Sequence, residues 1–141
     1  MSSDQTVVFV CEHGAAKSVL AASYFNHLVK ERRLLFRAIA RGTAPDPQVP
    51  ARVQEALAFE GLSHWPSTPA AIEPGELERA HTVVTFDQPE VGLGISGPVR
   101  LIEWNGVPPV STDLDHAREE IIERVSVLLD DLAAVPGKGG P

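Results

Sequence analysis

The chain has 141 residues, of which 43% are hydrophobic and 22% charged, and a net charge of −7. That length suits one ordinary core and that balance a soluble globular chain. No apolar run is long enough to cross a bilayer, and overall acidity with few aromatics argues against a nucleic-acid partner. Cys11 is the only cysteine, so no intramolecular disulfide forms. The opening Met1-Ser2-Ser3-Asp4-Gln5 lacks the basic stretch of a secretory signal, so a cytoplasmic protein is expected. The charge is uneven: residues 1–54 carry +3 and residues 55–141 carry −10, and the positive part suits an anionic ligand.

The first strand is expected over about Thr6 to Val10, apolar throughout as in a central parallel strand buried on both faces. A helix follows from about Lys17 to Arg33, with Val19, Ala22, Phe25 and Val29 at helical spacing. Leu35 to Arg41 reads as a second strand closed by Gly42. Pro50 to Glu60 reads as a helix ended by Gly61, and Glu76 to Arg79 as a short helix. His81 to Phe86 forms the third strand and Val99 to Trp104 the fourth, with Gly92, Gly94 and Gly97 keeping the segment between them irregular. The last helix runs from Asp113 or Asp115, either of which would cap it, to Ala134. Its buried stripe is Leu114, Ala117, Ile121, Val125, Leu128 and Leu132. Strand and helix alternate from end to end. The pattern implies a doubly wound α/β fold, a four-stranded parallel sheet with helices on both faces, in one domain over residues 1–135. A flexible Gly/Pro/Lys tail is expected over 136–141. In such sheets the ligand lies at the carboxyl ends of the strands, where Cys11 falls.

The stretch from Cys11 through Glu12, His13, Gly14, Ala15, Ala16, Lys17 and Ser18 joins that strand to the helix. A thiol leaving a strand, a loop of small residues and a helix start make an oxyanion cradle with a nucleophile at its base. Loop amides of residues 12–17 would face the anion, and their field favours the thiolate, the nucleophilic form. Lys17 in a first helical turn opposes the macrodipole, which a bound anion would explain. Ser18 is placed either to hydrogen-bond the thiolate or to bond locally near the helix start. His13 offers a donor or simply faces solvent. Glu12 is expected to face outward, because a carboxylate turned inward would repel both thiolate and ligand.

This arrangement resembles the low-molecular-weight protein tyrosine phosphatases and the thiol-coupled arsenate reductases that share their fold, phosphatase-I-like. The family signature is Cys, five residues, Arg, then Ser or Thr, just after the first strand; here it reads Cys11 to Lys17-Ser18. Ala40 to Thr43, His81 to Asp87, Trp104 to Pro109 and Ala117 to Leu132 are similar to its later elements, so the likeness spans nearly the whole chain. Three positions depart from the pattern. Lys17 replaces an arginine whose planar fork grips two oxygens at once. Gly14 replaces a bracing asparagine. Asn105-Gly106-Val107-Pro108-Pro109 lacks the aspartic acid that protonates the leaving group. Asp87, Asp113 and Asp115 are the available substitutes, although capping and solvation explain each more simply. Arg41 is a candidate for extra cationic character, and Trp104 for a wall at the rim, core packing being its simpler role.

The resemblance implies a cysteine-dependent phosphomonoesterase that works through a cysteinyl-phosphate, with Cys11, Lys17 and Ser18 catalytic. No metal or cofactor is needed, because the cradle supplies the positive potential. The ligand would be phosphate, a phosphomonoester or arsenate. An arsenate reductase is the alternative; with one cysteine it would need an external thiol and a redoxin. A third reading is a non-catalytic oxyanion-binding or regulatory relative.

Overall fold

The computed structural model describes residues 6–12, 16–62, 69–87 and 99–133. The strands among them are β1 (Thr6–Cys11), β2 (Arg37–Gly42), β3 (Thr82–Thr85) and β4 (Arg100–Glu103). They form one parallel sheet in the order β2-β1-β3-β4. The chain first moves from β1 to one side and then returns to the other. This reversal makes the doubly wound layout and opens a crevice between the carboxyl ends of β1 and β3. The described helices are α1 (Lys17–Arg32), α2 (Ala51–Phe59) and α3 (Leu114–Ala133).

β1 sits between two neighbours and is buried along its whole length, as its unbroken apolar run requires. Successive side chains leave a strand on opposite faces, so β1 feeds two cores. Val7, Phe9 and Cys11 join Leu20 and Phe25 of α1, Val53 and Leu57 of α2, and Ile121, Val125 and Leu129 of α3. Phe9 is the centre of that cluster, with its ring 5.8 Å from Phe25 and 5.7 Å from Trp104. Val8 and Val10 pack on the other face with Val83 and Leu77, flanked by Ile39, Ile72 and Leu101.

β2 is an edge strand with several of its outer backbone groups occupied. The Asn26 side chain of α1 donates to the Ala38 carbonyl at 3.0 Å and accepts from the Ala38 amide at 2.8 Å. The Arg41 guanidinium donates to the Ala40 carbonyl at 3.0 Å. The Gly42 amide donates to the Ala70 carbonyl at 3.0 Å, beside an isolated parallel bridge to Ala71.

The expected elements stand with shifted ends. The second strand starts at Arg37, because Leu35 is 85% exposed and has no core to enter. The short helix expected over Glu76 to Arg79 is instead part of a run of turns over 74–79. Gly75 takes a left-handed φ of +77°, which breaks helical geometry. The Glu76 carboxylate bonds back to the Glu73 amide at 3.0 Å and outward to Arg41. Asp113, not Asp115, caps α3: its carboxylate accepts from the His116 amide at 3.4 Å. The expected tail over 136–141 and the glycine-rich segment between β3 and β4 lie outside the described residues. Among the described residues, no helix is long and apolar enough to cross a membrane.

Candidate active site

Cys11 is the last residue of β1 and is 8% exposed. Its sulfur lies 3.1 Å from the hydroxyl of Ser18, which is fully buried in the first turn of α1. A strand end and a helix start seven residues later thus bring the two side chains together. The carbonyls of Cys11 and Glu12 are held by the amides of Thr43, at 3.2 Å, and Ala44, at 2.7 Å, just beyond β2. His13, Gly14 and Ala15, the middle of the expected cradle, lie outside the described residues.

Among the described residues, no side chain caps the N-terminus of α1. Ala16 occupies the cap position and supplies no side-chain hydrogen bond, and the first turn contains no acidic residue. A helix start normally satisfies its amides with a capping oxygen. The positive end of such a helix favours an anion.

Cys11, Ala16 and Lys17 line a cavity of about 550 Å³ together with Phe86, Asp87 and the Pro109–Ser111 segment. Pro50 and Arg52 at the start of α2, with Glu12 and Asp46, complete its described wall. Glu12 is exposed, as expected, and still borders the opening.

Lys17 is a hub. Its ammonium donates to the Val107 carbonyl at 2.8 Å and lies 3.5 Å from the Asp87 carboxylate. An ammonium has three N–H groups, so these two contacts leave one for a ligand. Asp87 ties the loops after β3 and β4: its amide donates to the Asn105 side-chain oxygen at 3.1 Å, and its carboxylate accepts from the Gly106 amide at 3.3 Å. Asp87 has a left-handed φ of 58°, a conformation that Asp tolerates better than most residues. Of the three substitute acids, then, only Asp87 borders the cavity.

Two sequence candidates are placed elsewhere. Arg41 faces Glu76, with Nε to Oε1 at 2.9 Å and Nη2 to Oε2 at 2.9 Å, so its charge is already matched in a half-buried pair. Trp104 is 8% exposed and packs on Phe9 and Phe86 as core, not as a rim wall. The sequence reading missed Arg52. It lies on the solvated side of a short helix, and only the fold brings it to the cavity of Cys11.

The chain matches no family model and no curated protein sequence. Its fold is that of the low-molecular-weight phosphatases and arsenate reductases. A thioredoxin-dependent arsenate reductase from Corynebacterium glutamicum matches with a TM-score of 0.76 at 19% identity, over 91% of this chain and 61% of that one. The chain thus spans about three-fifths of that protein's length. An arsenate reductase from Archaeoglobus fulgidus matches with a TM-score of 0.71 at 24% identity, over 88% of this chain and 98% of that one. A low-molecular-weight phosphotyrosine phosphatase from Vibrio cholerae matches with a TM-score of 0.77 at 16% identity, over 92% and 97%.

Proposed function

We propose that the chain is a cysteine-dependent phosphomonoesterase acting through a cysteinyl-phosphate on Cys11. The observation that carries this reading is the Cys11 sulfur at 3.1 Å from the buried Ser18 hydroxyl, bordering a cavity at the uncapped start of α1. A thiolate there has a hydroxyl to stabilise it and helix amides to receive phosphate oxygens. The cavity also exceeds what one tetrahedral oxyanion fills, and its volume falls in the usual range for organic ligands. Room beyond the anion favours an ester over a bare oxyanion.

In the first step the sulfur attacks phosphorus and the ester P–O bond breaks. The leaving oxygen takes a proton from Asp87, which borders the cavity just beyond the end of β3. In the second step water attacks the cysteinyl-phosphate and gives a proton to Asp87. The S–P bond breaks with its electron pair on sulfur, so thiolate returns and phosphate leaves. Lys17 offsets charge on the equatorial oxygens through its remaining N–H.

One observation favours the arsenate reductase reading. Lys17 lies 3.5 Å from the Asp87 carboxylate and engages it in an ion pair, and the arsenate reaction does not call on that carboxyl as an acid. Cys11 would displace hydroxide from arsenate. An external thiol would then attack the sulfur, forming a mixed disulfide as two electrons pass to arsenic and arsenite leaves. A redoxin would reduce the mixed disulfide.

The test is turnover of para-nitrophenyl phosphate by the wild-type chain and by Cys11→Ser, beside arsenate with a low-molecular-weight thiol and a redoxin. Phosphate release that vanishes in Cys11→Ser, with a trapped cysteinyl-phosphate, supports the phosphatase. Arsenite release alone favours the reductase. Phosphate binding by calorimetry with neither activity favours the regulatory reading.

A further inference from the structure

The cavity holds a second cation that the chemistry at Cys11 does not use. Arg52, in the first turn of α2, borders the same cavity as Cys11. Its Nη1 donates to the Ser111 carbonyl at 2.7 Å. That bond fixes the guanidinium between the start of α2 and the loop before α3. Nε and Nη2 have no partner among the described residues, which leaves a fork of N–H donors for an outside acceptor. Pro50, Pro109 and Val110 supply an apolar wall in the same cavity. Glu12, Asp46 and Asp87 border it too, and each of these residues has an interaction of its own.

We propose that Arg52 is a specificity-determining residue that reads a second negative charge on the substrate, so that the cavity prefers phosphomonoesters carrying a carboxylate. The proposal rests on the phosphomonoesterase reading for the placement of the phosphate near Cys11. An aliphatic spacer then lies along Pro50, Pro109 and Val110, and the carboxylate meets the free edge of the guanidinium. Such a pair is bidentate and charge-assisted, so its loss is read as a large change in preference.

The experiment compares esters that differ by one charge. N-acetyl-phosphoserine, with its carboxylate free, is set against its methylamide, and N-acetyl-phosphoserinyl-aspartate amide against the matching asparagine peptide. The first pair represents a small-molecule acid and the second an acidic peptide. Phosphoethanolamine supplies a cationic ester. Affinity is measured by calorimetry and kcat/KM by phosphate release, for the wild-type chain, Arg52→Ala and Arg52→Lys. The expected result is a wild-type preference for the acidic member of at least one pair, falling about tenfold in Arg52→Ala and partly restored in Arg52→Lys. Preference in the first pair alone assigns a small acid, and in the second alone an acidic peptide. Equal preference in all three proteins overturns the proposal, as does a preference for phosphoethanolamine. If esters turn over without discrimination, only the role of Arg52 fails. If no phosphate compound binds, the phosphomonoesterase reading fails and takes the proposal with it.

Discussion

The sulfur of Cys11 and the hydroxyl of Ser18 lie 3.1 Å apart, one closing a central strand and the other opening the helix that follows it. Ser18 has no exposed surface, so its hydroxyl has few alternatives to the sulfur. Hydrogen bonds to an ionised group contribute about 1.5–3 kcal/mol. Ser18→Ala is therefore expected to slow iodoacetamide alkylation of Cys11 at neutral pH by about tenfold or more. Rates equal to the wild type would show that the hydroxyl bonds elsewhere.

Lys17 links α1 to the loop after β4 and offers its charge to the cavity. Lys17→Met removes that charge while keeping most of the aliphatic stem. By analogy with losing one oxyanion donor, kcat/KM on para-nitrophenyl phosphate should fall about 10²-fold. A thermal melt run alongside separates the roles: a lower Tm with unchanged rates would make Lys17 a strut and nothing more.

Asp87 is the acid in the proposed cleavage. General acid catalysis contributes roughly 10²–10⁴-fold, and most where the leaving group is poor. Asp87→Asn keeps the size of the side chain and removes the proton. Turnover of alkyl phosphates is expected to drop about 100-fold, with para-nitrophenyl phosphate much less affected. A uniform drop across leaving groups would instead assign Asp87 to holding Lys17 and the Gly106 amide.

His116 and Asp113 form an exposed pair at the start of α3, with Nδ1 and Oδ2 2.7 Å apart. The hydrogen bond to Asp113 raises the His116 pKa above its ordinary 6.5, and the hydrogen bond to His116 lowers that of Asp113 below its ordinary 3.8. The histidine's contribution to stability is fully present below pH 6.5 and fades as pH rises through its folded value. The aspartate's is present above pH 3.8 and fades as pH falls through its folded value. An NMR titration of His116 should give a midpoint above the ordinary one, and Asp113→Asn should return it. A midpoint that ignores Asp113→Asn would refute the pairing in solution.

Local patterns carried the fold. The apolar run Val7 to Val10 announces a strand buried on both faces, and Lys17 opens a helix whose Val19, Phe25 and Val29 enter the core. Local patterns failed where distant partners decide. Glu76 has a helix former's propensity, yet it turns to Arg41, 35 residues away, and the chain around Gly75 follows. The same pairing occupies the arginine that looked available to the cavity. At the site, Cys11 and Ser18 were legible because seven residues join them across one strand–helix turn. The Lys17–Asp87 contact spans 70 residues, and Arg52 meets Ser111 across 59, so neither leaves a trace in spacing.

The occupied flank of β2 governs how copies of this chain behave when crowded. An unpaired strand border is a template on which another molecule can lengthen the sheet. Here Asn26 takes both backbone groups of Ala38, Arg41 takes the Ala40 carbonyl, and Ala70 takes the Gly42 amide. Recruitment of a foreign strand along that side would first have to evict all three, which protects the molecule from sheet-mediated self-association there.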